Sequence, residues 1–123
     1  MKKQDFSQLL KNPLISKELL VFQALKNDLL QIDIFRKGSI SKIYQICGKK
    51  NCRCHTNKDF RHGPYYYWTL KEKGKTITLK IPSDYIPLAQ MFIDNSKNLQ
   101  NKLKRLETLS DSIIKKIFKT ILK

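Results

Sequence analysis

The residues best able to do chemistry lie in one short segment, because all three cysteines fall between positions 47 and 54. Cys52 and Cys54 are separated by one residue, so an extended backbone directs both thiols to the same side. Gly48 is expected to permit a tight turn that brings Cys47 back towards them. Three convergent thiolates are three of the four nitrogen or sulfur ligands that a tetrahedral structural zinc site requires. The segment is therefore predicted to bind zinc.

Two histidines are candidates for the fourth zinc ligand. His62 follows Cys54 by eight residues and precedes the turn-forming pair Gly63-Pro64, whereas His55 is adjacent to Cys54. Adjacent residues rarely bind one ion without strain, so we favour His62 and keep His55 as the alternative. Four protein ligands would leave no open position on the metal, which predicts a structural zinc that holds a polar loop. A catalytic zinc bound by three cysteines and a water is the other interpretation.

The start of the chain predicts a cytoplasmic protein. The segment after Met1 is largely polar and has no signal-peptide core, and no stretch approaches the about 18 uninterrupted apolar residues of a membrane span. We therefore expect no membrane partner. Cytoplasmic thiols stay reduced and the number of cysteines is odd, so disulfides are disfavoured.

The chain is strongly basic, with 25 lysine and arginine residues against 10 aspartate and glutamate residues and a formal net charge of +15. Twelve of the basic residues lie between positions 36 and 80, where Asp59 and Glu72 are the only acidic residues. Such a surface attracts polyanions, and nucleic acid, either DNA or RNA, is the predicted partner. The residues predicted to bind it are Lys42, Lys49, Lys50, Arg53, Arg61, Tyr66, Trp68, Lys71, Lys73 and Lys75.

Four consecutive aromatic residues, Tyr65 to Trp68, lie within this basic segment. On a strand, Tyr66 and Trp68 face one way, and the other two tyrosines face the opposite way. In one interpretation one pair packs in the core and the other pair supports the cysteine loop. In the other, a solvent-facing pair of Tyr66 and Trp68 stacks on unpaired bases.

The elements that must position these residues follow from the hydrophobic periods. Apolar residues at three- and four-residue steps predict a helix over 15–35, started by Asn12 and Pro13 or by Ser16, and stopped by Gly38. Three short strands are predicted over 39–46, 65–70 and 76–81. A polar, glycine-containing connection joins the second and third strands as an antiparallel hairpin.

A long amphipathic helix is predicted from Asp84 almost to the end of the chain, with Pro87 in its first turn. Its apolar seam resembles a coiled coil, although Ser96 and Ser110 interrupt the pattern. We expect this helix to pack antiparallel on the first helix, while its far end reaches a partner protein or a second copy of the chain. The seam residues are Phe92, Leu99, Leu103, Leu106, Ile113 and Ile117.

Together these features predict an α+β fold: a small three-stranded antiparallel sheet with a Cys3His metal loop, flanked by an N-terminal helix and a long C-terminal helix packed as a helical hairpin. One domain is expected over 1–123, with a helical part (1–36), a basic metal-binding β module (37–82) and the long helix (83–123). No enzyme is expected, because Asp59 and Glu72 are too few for a metal-dependent nuclease, and nucleotide-loop, serine-hydrolase and zinc-protease motifs are absent from the sequence.

Residues 36–82 resemble a family of short prokaryotic proteins of unknown function. The similarity implies that Cys47, Cys52, Cys54 and His62 act together, and it favours His62 over His55. It also implies an association with mobile elements, because members of that family are often encoded near transposases. Lys50 departs from the family pattern, in which proline is common there. The matching strings are Gly38-Ser39-Ile40, Cys47-Gly48-Lys49, Asn51-Cys52-Arg53-Cys54, His62-Gly63-Pro64-Tyr65-Tyr66-Tyr67 and Gly74-Lys75-Thr76.

The leading functional hypothesis is a small zinc-binding, non-enzymatic protein that binds nucleic acid as an accessory factor of a mobile element. The alternative is a protein-interaction adaptor whose long C-terminal helix is the working surface, with the basic charge only keeping the chain soluble. The salt dependence of binding discriminates between them, because only phosphate contacts release condensed counterions.

Overall fold

The computed structural model describes residues 3–122 and confirms the α+β class. The strands form one antiparallel sheet in the order β1-β2-β3. None of the described helices has an apolar stretch of the length needed to cross a membrane. In chain order, the helices and strands are α1 (Lys3–Leu10), α2 (Pro13–Leu29), β1 (Ser39–Gln45), β2 (His62–Glu72), β3 (Lys75–Ile81) and α3 (Ile86–Lys116).

The predicted first helix begins where expected and ends early. Asn12 caps α2 by accepting the Leu14 N–H at 2.9 Å, and Pro13 occupies the first turn, where its missing N–H costs nothing. Beyond Leu29 the N–H groups of residues 30–32 make three i→i−3 bonds, and the backbone that follows makes tertiary bonds instead of helical ones. The Ile34 carbonyl accepts from the Asn95 side chain at 2.9 Å, and the Arg36 N–H donates to the Phe92 carbonyl at 3.3 Å. These bonds to α3 hold residues 34–36 in a non-helical course.

Gly38 is needed for a reason other than ending the helix. Its φ is +125°, and a Cβ there would lie 2.6 Å from the Trp68 indole nitrogen and 2.6 Å from the Thr69 carbonyl oxygen. The expectation that Gly38 stops the helix was therefore wrong. The glycine instead allows the chain to pass directly over Trp68.

The predicted hairpin between the second and third strands is confirmed. Lys73 and Gly74 form its two-residue turn with φ of 51° and 77°, the positive pair that a type I′ turn requires. Register pairs Glu72 with Lys75 and Trp68 with Leu79. β2 begins at His62, before the predicted start at Tyr65, because it also pairs with the end of β1.

The chain divides into two compact units, one formed by Ile34–Ser96 and the other by the remaining described residues. The single domain over 1–123 stays a prediction. In the Ile34–Ser96 unit, the buried residues Trp68, Ala89 and Ile93 pack together, so one face of the sheet is covered by the start of α3. The Trp68 indole N–H donates to the Lys37 carbonyl at 2.8 Å, which satisfies the polar atom of a buried ring.

The other unit contains the predicted antiparallel helix pair. Ile15 of α2 packs with Ile113 of α3 and with Ile117, which lies just beyond the end of α3. Glu18 forms an ion pair with Lys116, and Asp28 pairs with Lys102 at 3.7 Å. α2 and the C-terminal part of α3 are therefore antiparallel.

The seam predicted for the long helix is correct only in part. Leu106 is buried, but Leu103 is 48% exposed. A straight helix drifts by about 20° per heptad from a strict seven-residue repeat. As a result Lys102, which pairs with Asp28, faces α2 where the heptad pattern predicts Leu103. Near the start of α3, the most buried positions are Ile93 and Ser96, each 2% exposed, while Phe92 is only partly buried at the edge of the core.

Candidate metal centre

The fold brings the four predicted ligands together. Cys47 lies just beyond β1, and His62 is the first residue of β2. Cys54 lies in a short 3-10 turn, Arg53–His55, and Cys52 immediately precedes that turn. The three Sγ atoms and a ring nitrogen of His62 all lie within 4.8 Å of one another. The donor set is therefore Cys3His, and among the described residues His55 is not part of it.

The distances fit one tetrahedral ion. Zn–S bonds of about 2.3 Å and Zn–N bonds of about 2.0 Å give tetrahedral edges of about 3.8 Å between two sulfurs and about 3.5 Å between sulfur and nitrogen. The Cys47 and Cys54 sulfurs are 3.6 Å apart, and Cys52 Sγ lies 3.3 Å from His62 Nε2. Both pairs need to move by only a few tenths of an ångström to hold zinc.

Backbone pairing at the end of the sheet closes the metal loop, residues 46–61. Gln45 of β1 pairs with His62 of β2, which brings the two ends of the loop side by side. Within the loop, the Cys52 N–H donates to the Lys49 carbonyl at 3.2 Å and forms the turn between the first two cysteines. Gly48 has open space around its Cα and a φ outside the left-handed region, so the turn does not depend on glycine at this position.

Hydrogen bonds prepare the thiols for a metal. The Cys54 backbone N–H, followed by the Cys54, His62 and Cys47 side chains, lowers the pKa of the Cys52 thiol to about 6. The Cys47 N–H donates to Cys54 Sγ at 3.3 Å, but burial dominates at Cys54 and raises the pKa of its thiol. The metal-free site therefore holds a thiolate at Cys52 at neutral pH, while Cys54 must release its proton when a cation binds.

The residues predicted to bind nucleic acid do not form one surface. Lys42, Lys49, Lys50, Arg53 and Arg61 lie on or beside the metal loop, whereas Lys71, Lys73 and Lys75 lie at the far hairpin of the sheet. All eight of these side chains are exposed. His62 and Lys71 are nine strand positions apart, or about 30 Å at 3.3 Å per residue. The predicted site is therefore divided into a loop set and a hairpin set.

The two aromatic residues assigned to base stacking are not on an open surface. Trp68 is 5% exposed and packs against α3, so the prediction that its ring stacks on bases was wrong. Tyr66 is half-buried and shares the same face of β2. The alternating period of a strand predicted that these two residues share a face, but not which face is covered.

Two other aromatic side chains, Tyr44 beside the metal loop and Phe60 within it, are exposed and were not among the residues predicted from the sequence. Tyr44 is 50% exposed, with the Lys42 ammonium 5.9 Å from its ring centre. Phe60 is 47% exposed, with the Arg53 guanidinium 5.5 Å from its ring centre. Their position within the basic segment was a signal that could have identified them.

Comparison with known proteins identifies a family. A family model described as a domain of unknown function (DUF6788) matches residues 17–90, more than half of the chain and the whole of the metal centre. No curated protein matches the chain, and no solved structure matches it.

Proposed function

The chain belongs to the DUF6788 family, and we propose that it is a zinc-dependent, non-enzymatic protein that binds nucleic acid through the metal loop. The observation that carries the proposal is that a Cys3His cluster holds a loop with six exposed charged side chains, of which five are cationic and one is Asp59. The association with a mobile element stays a prediction from the resemblance.

The structural role of the zinc is supported by the composition of the loop. Cys54 is the one residue between 46 and 61 that is buried, at 2% exposure, so the loop gains little from apolar burial. Zinc binding supplies folding energy to such segments, because the site rarely exists in the unfolded chain. Four protein ligands also fill a tetrahedral zinc, which leaves no position for an attacking water and supports a non-enzymatic role.

The binding of nucleic acid is supported by charge held in place by the metal. Asp59 is the only acidic residue among 46–61, and none of the loop cations lies within salt-bridge distance of a carboxylate in the described part of the chain. Unpaired, fixed cations are the groups that contact phosphates and release counterions. The five exposed loop cations are Lys49, Lys50, Arg53, Lys58 and Arg61.

A protein-interaction adaptor is the second candidate, and one observation favours it. Ile114, Phe118 and Leu122 are 52%, 64% and 52% exposed at four-residue spacing, so one stripe at the C-terminal end is apolar and uncovered within this chain. An amphipathic stripe of this kind suits a partner helix or a second copy of the chain.

The test is fluorescence anisotropy with zinc-loaded protein and labelled duplex DNA, single-stranded DNA and single-stranded RNA. If about four of the five loop cations contact duplex phosphates, the slope of log K against log salt is about −3.6, and affinity falls about 10²-fold between 50 and 200 mM salt. Arg53→Gln and Arg61→Gln should each reduce the slope by about 0.9, whereas Lys17→Gln, at an exposed position of α2, should not.

Chelation provides the second arm of the same experiment. Removing zinc should abolish salt-dependent binding, because the loop that carries the cations loses its structure. An absence of binding to all three nucleic acids at 50 mM salt, by protein that retains its zinc, would contradict the proposal and favour the adaptor.

A further inference from the structure

An open groove lies beside the metal centre. It has a volume of about 410 Å³ and is lined by Tyr44, Gln45, Ile46 and Arg61. This volume is within the range of about 300–1,000 Å³ found for small-molecule sites. The groove therefore has room for one planar ring system with a charged substituent, and no carboxylate lines it.

A β-bulge in β2 lies opposite Tyr44. Ile43 pairs with Tyr65 and Gln45 pairs with His62, so one residue of β1 opposes two of β2 where regular pairing would have one. Bulges change the direction of a side chain and are frequent beside functional sites. Tyr44 is 50% exposed, and the residues beside it in β1 are exposed as well.

The bulge is fixed from two sides. A Cβ on Gly63 would lie 2.8 Å from the Ile43 carbonyl oxygen and 3.3 Å from the Tyr44 Cα, so only glycine allows the two strands to approach here. His62 and Cys47 flank the bulge and belong to the metal cluster. The position of Tyr44 is thus tied to the ligand set and does not depend on a free loop.

The groups around the ring match the chemistry of a nucleotide. An exposed aromatic face accepts a stacked base, and guanidinium and ammonium groups pair with phosphates. Arg61 lines the groove, and the Lys42 ammonium lies 5.9 Å from the Tyr44 ring centre. An apolar wall is provided by Ile46, which is 54% exposed.

We infer that Tyr44 is the stacking platform for one unpaired base of a single-stranded nucleic acid, with Arg61 and Lys42 contacting the flanking phosphates. The inference rests on the proposed function and narrows its substrate to single strands at this groove. Bases in a duplex are already stacked on each other, so a lone exposed ring gains a base only from a single strand, a loop or an end. Tyr44 takes the role that the buried ring of Trp68 cannot have.

The test compares Tyr44→Ala, Tyr44→Phe and wild type for binding of a labelled 12-nucleotide oligo-dT, an oligo-U of equal length and a duplex. Loss of one base stack should weaken binding to both single strands by about 5- to 150-fold, while binding to the duplex changes by less than about twofold. Tyr44→Phe should bind as wild type does. Tyr85→Ala removes a tyrosine that is 59% exposed outside the groove and is the matched control.

A second measurement covers the case in which Tyr44→Ala loses its zinc or its fold. A single-stranded oligonucleotide containing 2-aminopurine should be quenched on binding to wild type and Tyr44→Phe, but not on binding to Tyr44→Leu, which keeps an apolar side chain but has no ring. Zinc content and melting temperature are measured for every variant.

The failures of the two proposals are distinguishable. Wild type that binds single strands, with Tyr44→Ala equal to it, overturns the stacking site and leaves the proposed function intact. An equal loss for duplex and single strands by zinc-loaded Tyr44→Ala also overturns the stacking site. Wild type that binds none of the three probes removes the proposed function and this inference together.

Discussion

Replacing His62 by alanine should separate metal binding from the rest of the fold. His62 Nε2 lies 3.3 Å from Cys52 Sγ and completes the Cys3His cluster. The other histidine, His55, is exposed and is not part of the cluster, so His55→Ala removes the same type of side chain from the adjoining metal loop without touching the ligand set. The two variants are a matched pair.

The size of the expected change in zinc affinity follows from the number of ligands. Structural zinc sites with four ligands bind with apparent free energies of about 10–16 kcal/mol, so an equal share for one ligand is about 2.5–4 kcal/mol. That share corresponds to an increase of roughly 10²- to 10³-fold in the Kd for zinc. His55→Ala should change the same Kd by less than about twofold.

The assay is competition for zinc against a chromophoric chelator, together with elemental analysis of protein purified without chelator. Wild type and His55→Ala should carry about one zinc per chain. His62→Ala should lose its zinc to the competitor, and its melting temperature should respond to added zinc only at free concentrations roughly 10²- to 10³-fold higher than for wild type, because the stabilisation depends on the ratio of free zinc to its Kd.

Two results would refute the reasoning. One is His62→Ala that retains zinc with the wild-type Kd, and the other is His55→Ala that loses it. Either result would move the fourth ligand away from the first residue of β2, and the pairing of Gln45 with His62 would then have no role in closing the metal loop.

Three further predictions concern the cores and the thiols. Leu106→Asp places an unpaired carboxylate at a position that is 7% exposed, so it should lower the free energy of unfolding in denaturant titrations by about 3 kcal/mol or more. Leu103→Asp, at a position that is 48% exposed, should lower it by less than about 1 kcal/mol, and equal effects of the two variants would contradict the helix packing. Trp68→Ala removes a core ring and its hydrogen bond to Lys37 and should cost about 3–5 kcal/mol by the same titration; a change below about 1 kcal/mol would show that the ring is not a core residue. Zinc binding displaces protons from the thiols, and burial raises the pKa of Cys54, so the Kd for zinc in the chelator competition should be higher at about pH 6 than at about pH 8; a Kd that does not change over this range would contradict thiolate ligands at this site.

Local features of the chain were predictable from the sequence. The metal ligands could be found because cysteine and histidine are the residue types that zinc requires, and they lie within one short segment. The hairpin was predictable because Gly74 lies between two alternating strands, and the start of α2 because Asn12 precedes Pro13. In each case the physical cause acts over a few residues.

Features that depend on contacts between distant residues were not predictable. α2 ends at Leu29 because backbone groups of residues 34–36 bond to α3, and no residue near position 29 signals this. The face of β2 that is covered depends on where α3 packs, so the sequence left open whether Trp68 lies in the core or in solvent. The exposure of Tyr44 depends on which parts of the fold cover the end of β1, and this has no local sequence signal.

X-ray absorption at the zinc edge reports the ligand set of the bound metal itself. For protein purified without chelator, the geometry of Cys47, Cys52, Cys54 and His62 predicts one zinc with three sulfur neighbours at about 2.3 Å and one nitrogen neighbour at about 2.0 Å. The sulfur shell should lose one member in Cys52→Ser, and the nitrogen shell should change in His62→Ala. A first shell made only of nitrogen and oxygen, or folded protein that carries no metal, would contradict a zinc centre at these four residues.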